Sequence, residues 1–552
     1  MTALHEMTLA EGSRLIAARA LSPIEWTDAL LSRINDLDSQ LNAFITVTAG
    51  RARADARKAQ DELDRGISRG PLHGVPYALK DLFDTRGILT SGHSRSAIER
   101  VPQRDSTVGE RLTGAGAVLM GKLALHEMAH GGPSPELPWP VARNPWNTDH
   151  FAGSSSSGSA VAVAAGLVPA ALGTDTGGSI RIPAGMCGIA GLKPTYGLVS
   201  RAGVIPCSYS LDHCGPMAWT VEDCAILLGG IAGHDAHDPA SSARQVPDYR
   251  AALRRDLRGV RIGVVRHFWE RDIEAPAEAV FAMEDALQVL RKLGAVLADV
   301  QLHSLREYAD VRVMVQEPEV FAVHQRALQA RPGEFGQDFL GRILAACVLS
   351  AADYVQASRE RRVMTSRMLD VLRDCDALVT LGPGPAPRFD AERTFGFIHG
   401  MWGKPNLTSA FSVTGVPALA LCNGFTRAGL PLSMQIAARP FEDGLALGIG
   451  HAYECATDWR RRRPTMVPGR EPQPIQLAQS QAAPAPDARI QDFVDQCAAR
   501  AGLKPDFAQR ALLLEAAPHA LAMALRIRRD HGWECEPANV FSLPEPYHQE
   551  LP

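Results

Sequence analysis

The sequence predicts an α/β protein in which a mixed β-sheet is covered by helices on both faces, followed by a small all-α carboxy-terminal module. Short apolar runs alternate with helical segments up to about residue 440, and a proline-rich stretch separates them from two amphipathic segments. At 552 residues the chain exceeds the length at which a single core stops growing. We therefore expect a main domain over 1–463, a linker over 464–487 and a helical module over 488–552.

The elements of the main domain follow from their periodicity. From Leu9 to about Arg65, apolar residues recur at helical spacing, which predicts two or three amphipathic helices. The stretch Ala160 to Leu172, rich in Ala and Val, predicts a buried helix that runs into a loop, and a last helix is expected from about Glu442 to Trp459. Six runs between them are typical of buried strands: GVPYALKDLFDT, AGAVLMGKLAL, RGVRIGVVRHF, CDALVTLGPGPAP, VPALALCNGF and LPLSMQIAA.

The carboxy-terminal region begins with a linker. Six prolines lie between Pro464 and Pro486, among many Gln and Ala residues. Beyond them, apolar residues return at helical spacing, Gly502 ends the first helix, and a second helix runs from Asp506 to Ile527. Two short helices bury too little surface to be stable alone, so their apolar stripe is expected to pack on this chain or on a neighbour.

The composition excludes several classes of function. Hydrophobic residues make up 46% and charged residues 21% of the chain, and the net charge of -4 attracts neither nucleic acid nor an anionic membrane. The 10 cysteines form no C-x-x-C pair, which argues against a zinc cage and a disulfide scaffold. The amino terminus has no basic region followed by an apolar core, so we expect a cytoplasmic protein. The expected partner is a small-molecule substrate.

The segment GTDTGGS has the features of a catalytic loop. Adjacent glycines allow successive backbone N–H groups to point towards one place, as in an oxyanion hole. Ser179 is then the candidate nucleophile, and Thr176, Gly177, Gly178 and Ser179 are the candidate donors. The alternative is an ordinary tight turn that Asp175 and Thr176 cap.

A serine nucleophile needs a base, and the sequence offers two candidates. One is His213, which follows Asp212. The other is Lys80, which lies in an apolar segment where burial lowers the pKa of a lysine. Most of the 57 basic residues are arginine, so a lysine kept in an apolar run is one that can lose its proton. The alternative for Lys80 is a buried ion pair with Asp81 or Asp84.

Three segments together resemble the amidase signature family: GVPYALKDLFDT, AGSSSSGSAVAVAAG, and the long segment that begins GTDTGGSIRIPAG. The resemblance is strong from about residue 70 to 230 and continues to about 455. It implies Ser179 as nucleophile, Ser155 as a bridging serine that follows a cis Ser154–Ser155 peptide, and Lys80 as base. The family has glycines where this chain has Ser154 and Ser157.

The resemblance implies hydrolysis of linear amide-type C–N bonds, which include those of carboxamides, ureas and carbamates, through an acyl-enzyme, with no metal or organic cofactor. One alternative is the glutaminase subunit of a tRNA-dependent amidotransferase, although Pro405 stands where that subfamily has an acidic residue for the glutamine amino group. A second alternative is a catalytically silent scaffold.

The pattern HEMAH, from His126 to His130, also satisfies the H-E-x-x-H zinc motif, which needs both histidines on one face of a helix. GGPSP follows this pattern and ends any helix, so we do not expect a zinc site there.

The carboxy-terminal helices resemble the small accessory subunit that is paired with 1-carboxybiuret hydrolase. This resemblance favours urea-like substrates of the 1-carboxybiuret or allophanate type and a homodimer in which the stripe packs on a neighbouring copy of the chain. The alternative is a generic helical hairpin. In the family, the substrate pocket is built largely from a variable region between about 300 and 405, which gives the candidate lining residues Tyr354, His399, Met401 and Trp402. The segment LHEMA, which the resemblance places near the substrate channel, adds Met128.

Overall fold

The computed structural model describes residues 3–391, 402, 404–476, 486–532 and 535–536, and within them one 11-stranded sheet runs through the molecule. The strands are β1 Phe44–Val47, β2 Pro76–Lys80, β3 Val118–Leu123, β4 Ala170–Asp175, β5 Ala190–Lys193, β6 His213–Ala218, β7 Arg261–Val264, β8 Val296–Asp299, β9 Ala377–Leu381, β10 Ala418–Phe425 and β11 Pro431–Ala438.

Helices flank this sheet and form the carboxy-terminal region. They are α1 Leu9–Ala17, α2 Pro23–Leu41, α3 Ala49–Asp64, α4 Thr107–Gly114, α5 Ser157–Ala164, α6 Arg181–Cys187, α7 Val221–Ile231, α8 Ala277–Lys292, α9 Leu305–Ala330, α10 Gln337–Ile343, α11 Ala351–Asp374, α12 Ser409–Thr414, α13 Asp443–Cys455, α14 Ala488–Arg500 and α15 Phe507–Arg526. No helix in the described part of the chain has the length and apolar character needed to cross a bilayer.

The sheet is mixed, as predicted. Its order is β1-β3-β2-β4-β6-β5-β10-β11-β9-β7-β8. Strand β2 pairs in parallel with both β3 and β4, whereas β10 pairs antiparallel with β5 and β11. Every residue of β2, β3 and β4 is buried, which explains why these strands are almost entirely apolar.

The parallel pairing of β2 and β4 determines where the site forms. Lys80 is the last residue of β2 and Asp175 the last residue of β4. Because the carboxyl ends of parallel strands meet at one edge of a sheet, Lys80 and the loop after Asp175 lie side by side. The predicted base and the predicted nucleophile loop are therefore neighbours, although they are far apart in the sequence.

Each of the six predicted apolar runs contains a strand, but the prediction for Ala160 to Leu172 is partly wrong. The helix is present as α5, whereas the expected loop gives way at Ala170 to strand β4. Alanine, leucine and glycine form this strand because β2 and β6 hydrogen bond to it on both sides. Tertiary pairing thus overrides the low strand propensity of these residues.

The two predicted carboxy-terminal helices are present, and they pack on their own chain. Helix α15 lies against α10 and the 3₁₀ helix Leu344–Val348. The Arg526 guanidinium hydrogen bonds to both carboxylate oxygens of Asp310 on α9, at 2.6 and 2.8 Å. The apolar stripe is therefore only partly covered by this chain: Val494 and Ala498 are buried, whereas Phe493 is 43% exposed. The homodimer stays a prediction.

Candidate active site

Lys80 is fully buried at the end of β2 and hydrogen bonds to two hydroxyl groups. Its Nζ lies 2.7 Å from Ser155 Oγ and 2.8 Å from Thr174 Oγ1. The two carboxylates that could have paired with Lys80 have other partners. Asp81 forms an ion pair with Lys122 at 2.9 Å, and Asp84 bonds to an arginine.

Burial in this site lowers the pKa of Lys80 to about 7, because the charged ammonium loses its hydration. Cys207 and the carboxylates of Asp212 and Asp175 act in the opposite direction but offset only part of this effect. A neutral amine near pH 7 can accept a proton. Lys80 therefore has the environment of a general base rather than that of a structural cation.

The loop after β4 is held in place by the buried carboxylate of Asp175. This carboxylate accepts hydrogen bonds from the N–H groups of Gly178 at 2.8 Å and Ile180 at 3.2 Å. It also forms a buried ion pair with Arg181 at 3.0 Å. Burial alone raises the pKa of Asp175, but the Arg181 guanidinium outweighs it, so that the pKa falls to about 2. The carboxylate stays charged and anchors the loop.

This anchoring changes the predicted set of oxyanion donors. The N–H of Gly178 is directed at Asp175 and is not available, so the prediction for Gly178 is wrong in this structure. The N–H groups of Thr176, Gly177 and Ser179 make no hydrogen bond to any described residue. Gly178 is still required, because its φ is 130° and a Cβ would come within 2.3 Å of Thr408 Oγ1.

The serine run Ser154–Ser157 contacts both Lys80 and Ser179, but different hydroxyl groups make the two contacts. Ser155 Oγ accepts from Lys80, whereas Ser154 Oγ lies 2.9 Å from Ser179 Oγ. No hydrogen bond joins the hydroxyls of Ser155 and Ser179. Gly384–Pro385 is the cis peptide found among the described residues, so the Ser154–Ser155 peptide is trans and the expected cis bond is absent. In the trans arrangement, the Ser154 hydroxyl takes the place next to Ser179.

His213 does not reach Ser179. Its Nδ1–H donates to the carbonyl of Leu211 at 2.7 Å, and its Nε2 accepts from Lys193 at 3.1 Å. Burial lowers the pKa of His213 well below its usual value, so the ring is neutral and fully used in these bonds. The geometry supports Lys80 over His213 as the base.

The HEMAH segment does not form a zinc-binding helix. Residues Glu127–Ala129 form a single 3₁₀ turn, in which Met128 has a φ of 49°. His126 bonds to the carbonyl of Gly131, whereas His130 contacts Glu317 at 3.1 Å. The two histidines therefore do not share a helix face, and they hold different partners.

Ser179 opens into a cavity of about 280 Å³. Three polar lining residues were not predicted from the sequence: Arg312 and Gln316 on α9, and Arg342 on α10. The signal in the sequence was an arginine set among valines in YADVRVMVQ, which periodicity alone did not distinguish from a surface residue. The described lining residues are His126, Ala129, His130, Gly131, Gly132, Phe151, Ser154, Thr176, Gly177, Ser179, Ile182, Met186, Arg312, Gln316, Arg342, Pro387 and Asn406.

Three of the predicted pocket residues, Met128, Tyr354 and Trp402, are not among the described lining residues. Met128 packs its sulfur against Gly92, and the Tyr354 hydroxyl donates to Glu319 at 2.8 Å. Trp402 is buried but does not line the cavity. His399 and Met401 lie outside the described residues. Met128, Tyr354 and Trp402 therefore do not line this cavity, and their part in substrate binding stays a prediction.

Comparisons with known proteins identify the family of this chain. The sequence model of the family named Amidase matches residues 25–447. A glutamyl-tRNA(Gln) amidotransferase subunit from Methylococcus capsulatus is 40% identical over 489 residues, covering 84% of this chain and 100% of that protein. Native peptide amidase from Stenotrophomonas maltophilia has a TM-score of 0.72 at 32% identity, covering 83% of this chain and 98% of that chain.

Another similar structure is described as a vestigial protein complex that reveals the evolutionary origins of an s-triazine catabolic enzyme. It has a TM-score of 0.75 at 32% identity and covers 81% of this chain and 98% of that chain. The family match spans most of the chain. The serine-rich block and the Ser179 block both line the cavity, and Lys80 of the third block contacts Ser155 at 2.7 Å. The family resemblance and the mixed-sheet fold are thus confirmed, and this chain belongs to the Amidase family, the amidase signature enzymes that hydrolyse amide C–N bonds.

Proposed function

We propose that Ser179 attacks the carbonyl of a small linear carboxamide, urea or carbamate, with Lys80 as the general base and Ser155 as the proton relay. The observation that carries the proposal is the state of Lys80. It is fully buried, it has no carboxylate partner among the described residues, and it lies 2.7 Å from Ser155 Oγ. Its pKa of about 7 leaves it able to accept a proton near neutral pH.

In the first step, the Ser179 proton passes through Ser155 to Lys80 while the Ser179 oxygen bonds to the carbonyl carbon. The negative charge on the carbonyl oxygen is stabilised by the N–H groups of Thr176, Gly177 and Ser179. The protonated Lys80 then returns the proton through Ser155 to the departing nitrogen, and the C–N bond breaks. Water releases the acyl group by the same steps.

This route needs Ser179 to turn from Ser154 towards Ser155. In this structure the Ser179 hydroxyl lies 2.9 Å from Ser154 Oγ instead. Catalytic hydrogen bonds often become short and well aligned only when substrate binds.

The test is labelling with a serine-directed fluorophosphonate, followed by mass spectrometry of the labelled peptide. We expect one label, at Ser179, and we expect Ser179→Ala to lose both the label and amide hydrolysis. Ser157→Gly is the matched control. It lies in the same serine run, and glycine is the residue that the family has there. A label on another serine, or full activity in Ser179→Ala, would refute the proposal.

A second candidate function is glutamine hydrolysis for a tRNA-dependent amidotransferase. The observation in its favour is the 40% identity with the amidotransferase subunit of Methylococcus capsulatus. Against it, Pro405 stands where that subfamily has the acidic residue for the glutamine amino group. A glutaminase assay separates the two, with ammonia release from free glutamine compared with release from simple amides. Faster release from glutamine would favour the second candidate.

A further inference from the structure

The most unusual feature of the cavity is the side chain of Arg312. It projects from α9 and is only 6% exposed. Its Nε donates to Ser409 Oγ at 3.2 Å, and its Nη1 donates to Gln316 Oε1 at 2.7 Å. Both partners are neutral. The Nη2 amino group makes no hydrogen bond to a described residue, and no described carboxylate forms an ion pair with Arg312.

The guanidinium lies directly beside the loop that carries Ser179. A Cβ placed on Gly177 would come within 2.9 Å of Arg312 Nη1 and 3.4 Å of Arg312 Cζ. The absence of a side chain at Gly177 is therefore what allows the guanidinium to approach the loop. A group bound at Arg312 would sit next to the candidate oxyanion donors and within the same cavity as Ser179.

The other charges around the cavity do not neutralise Arg312 by contact. Arg342, the second arginine of the lining, is already paired with Asp338 at 2.8 Å. Glu317 is bound to His130 at 3.1 Å and to the amide of Gln316 at 3.2 Å. Glu317 is thus separated from Arg312 by the Gln316 side chain. No aspartate or glutamate is found among the described residues that line the cavity.

A buried charge with only neutral partners is costly, and an anion that enters the cavity would remove that cost. A guanidinium with free N–H groups binds a carboxylate with good geometry. We propose that Arg312 binds a carboxylate of the substrate, so that the enzyme acts on short linear amides that carry a carboxylate and no α-ammonium group. This inference rests on the proposed function and adds the substrate class.

The exclusion of an α-ammonium group follows from the same lining. An ammonium group needs a carboxylate or several acceptors, and the described lining offers two arginines instead. Glutamine and asparagine carry both charges, so they are expected to be poor substrates. Monoamides of short dicarboxylic acids carry only the negative charge and are the simplest probes of the site.

The experiment compares matched pairs of substrates. The monoamides of malonic, succinic and glutaric acid are each compared with the corresponding diamide, in which a neutral amide replaces the carboxylate. We expect kcat/KM to be about 100-fold higher for the best monoamide than for its diamide. Arg312→Met is expected to remove this preference, so that the ratio of the monoamide value to the diamide value falls from about 100 to about 1. Arg326→Met, an exposed position on the same helix, is the control.

The two proposals fail in different ways. Equal kcat/KM for monoamides and diamides, or an unchanged preference in Arg312→Met, overturns the carboxylate inference while Ser179 labelling still supports the proposed function. If no pair is hydrolysed, the same compounds are tested for protection of Ser179 against the fluorophosphonate. Protection by monoamides but not by diamides, lost in Arg312→Met, supports the inference. The absence of protection by every monoamide overturns it.

Discussion

Replacing Lys80 with methionine should stabilise the protein while it destroys the activity. The unfolded chain has a lysine pKa near 10.5, whereas burial lowers the pKa of Lys80 to about 7 in the folded protein. Between these two values the unfolded chain holds a proton that the folded protein does not. Stability is therefore lost as the pH falls from about 10.5 to about 7, and the loss reaches about 4 kcal/mol at pH 7.

Methionine removes this cost but also removes two hydrogen bonds. Lys80 donates to Ser155 and Thr174, and each bond contributes about 1 kcal/mol. We therefore expect Lys80→Met to raise the free energy of unfolding by about 2 kcal/mol at pH 7. The gain should vanish at about pH 9 and become a loss of about 2 kcal/mol at pH 10.5, where the protonation cost is gone and only the loss of the hydrogen bonds remains. Activity should fall at least about 100-fold, because a general base is lost.

The assay is the thermal unfolding midpoint and the denaturant midpoint, each measured at pH 7 and pH 10.5. Lys122→Met is the control, since Lys122 is also fully buried and lies on the neighbouring strand, but it is paired with Asp81 at 2.9 Å. Removing Lys122 leaves a buried carboxylate without its partner, which costs about 3 to 5 kcal/mol. At pH 7 the two substitutions should therefore change the free energy of unfolding in opposite directions.

Two results would refute the reasoning. One is destabilisation by Lys80→Met at pH 7, which would mean that Lys80 is charged and favourably paired in the folded protein. The other concerns the wild-type enzyme, whose kcat/KM should rise through about pH 7 as Lys80 loses its proton. A profile that is flat from pH 5 to pH 8 would remove Lys80 from the role of base.

Three further predictions follow from the site. Ser155→Ala should lose at least about 100-fold in kcat, because the proton relay is lost. Ser154→Gly, which restores the glycine of the family, should keep kcat within about threefold. The reverse pattern in steady-state assays would make Ser154 the relay. His213→Gln should keep most of the activity, because His213 bonds to Leu211 and not to Ser179; a loss as large as that of Ser179→Ala would contradict this. Truncation after Gln476 should raise KM more than it lowers kcat, since α15 supports α10 and the Asp310 end of α9; unchanged kinetics and stability would show that the helices are passive.

The chemistry of the site could be read from the sequence because it lies in short, contiguous segments. The glycines before Ser179, the apolar run around Lys80 and the serine run each have a local physical reason that does not depend on the rest of the fold. The buried strands that hold them are also evident from their apolar composition. Strand β4 was missed in part, because its alanine, leucine and glycine residues adopt an extended form only through pairing with β2 and β6.

The substrate end of the site depended on tertiary structure. Arg312, Gln316 and Arg342 come from α9 and α10, more than a hundred residues from Ser179, and no local pattern indicates which face of α9 meets the cavity. The same holds for Gly178, whose N–H turns to Asp175 and not towards the cavity. Local composition determines which residues can carry out the reaction. Which charges surround them depends on long-range packing, because electrostatic environment is a property of the assembled core and not of any one segment.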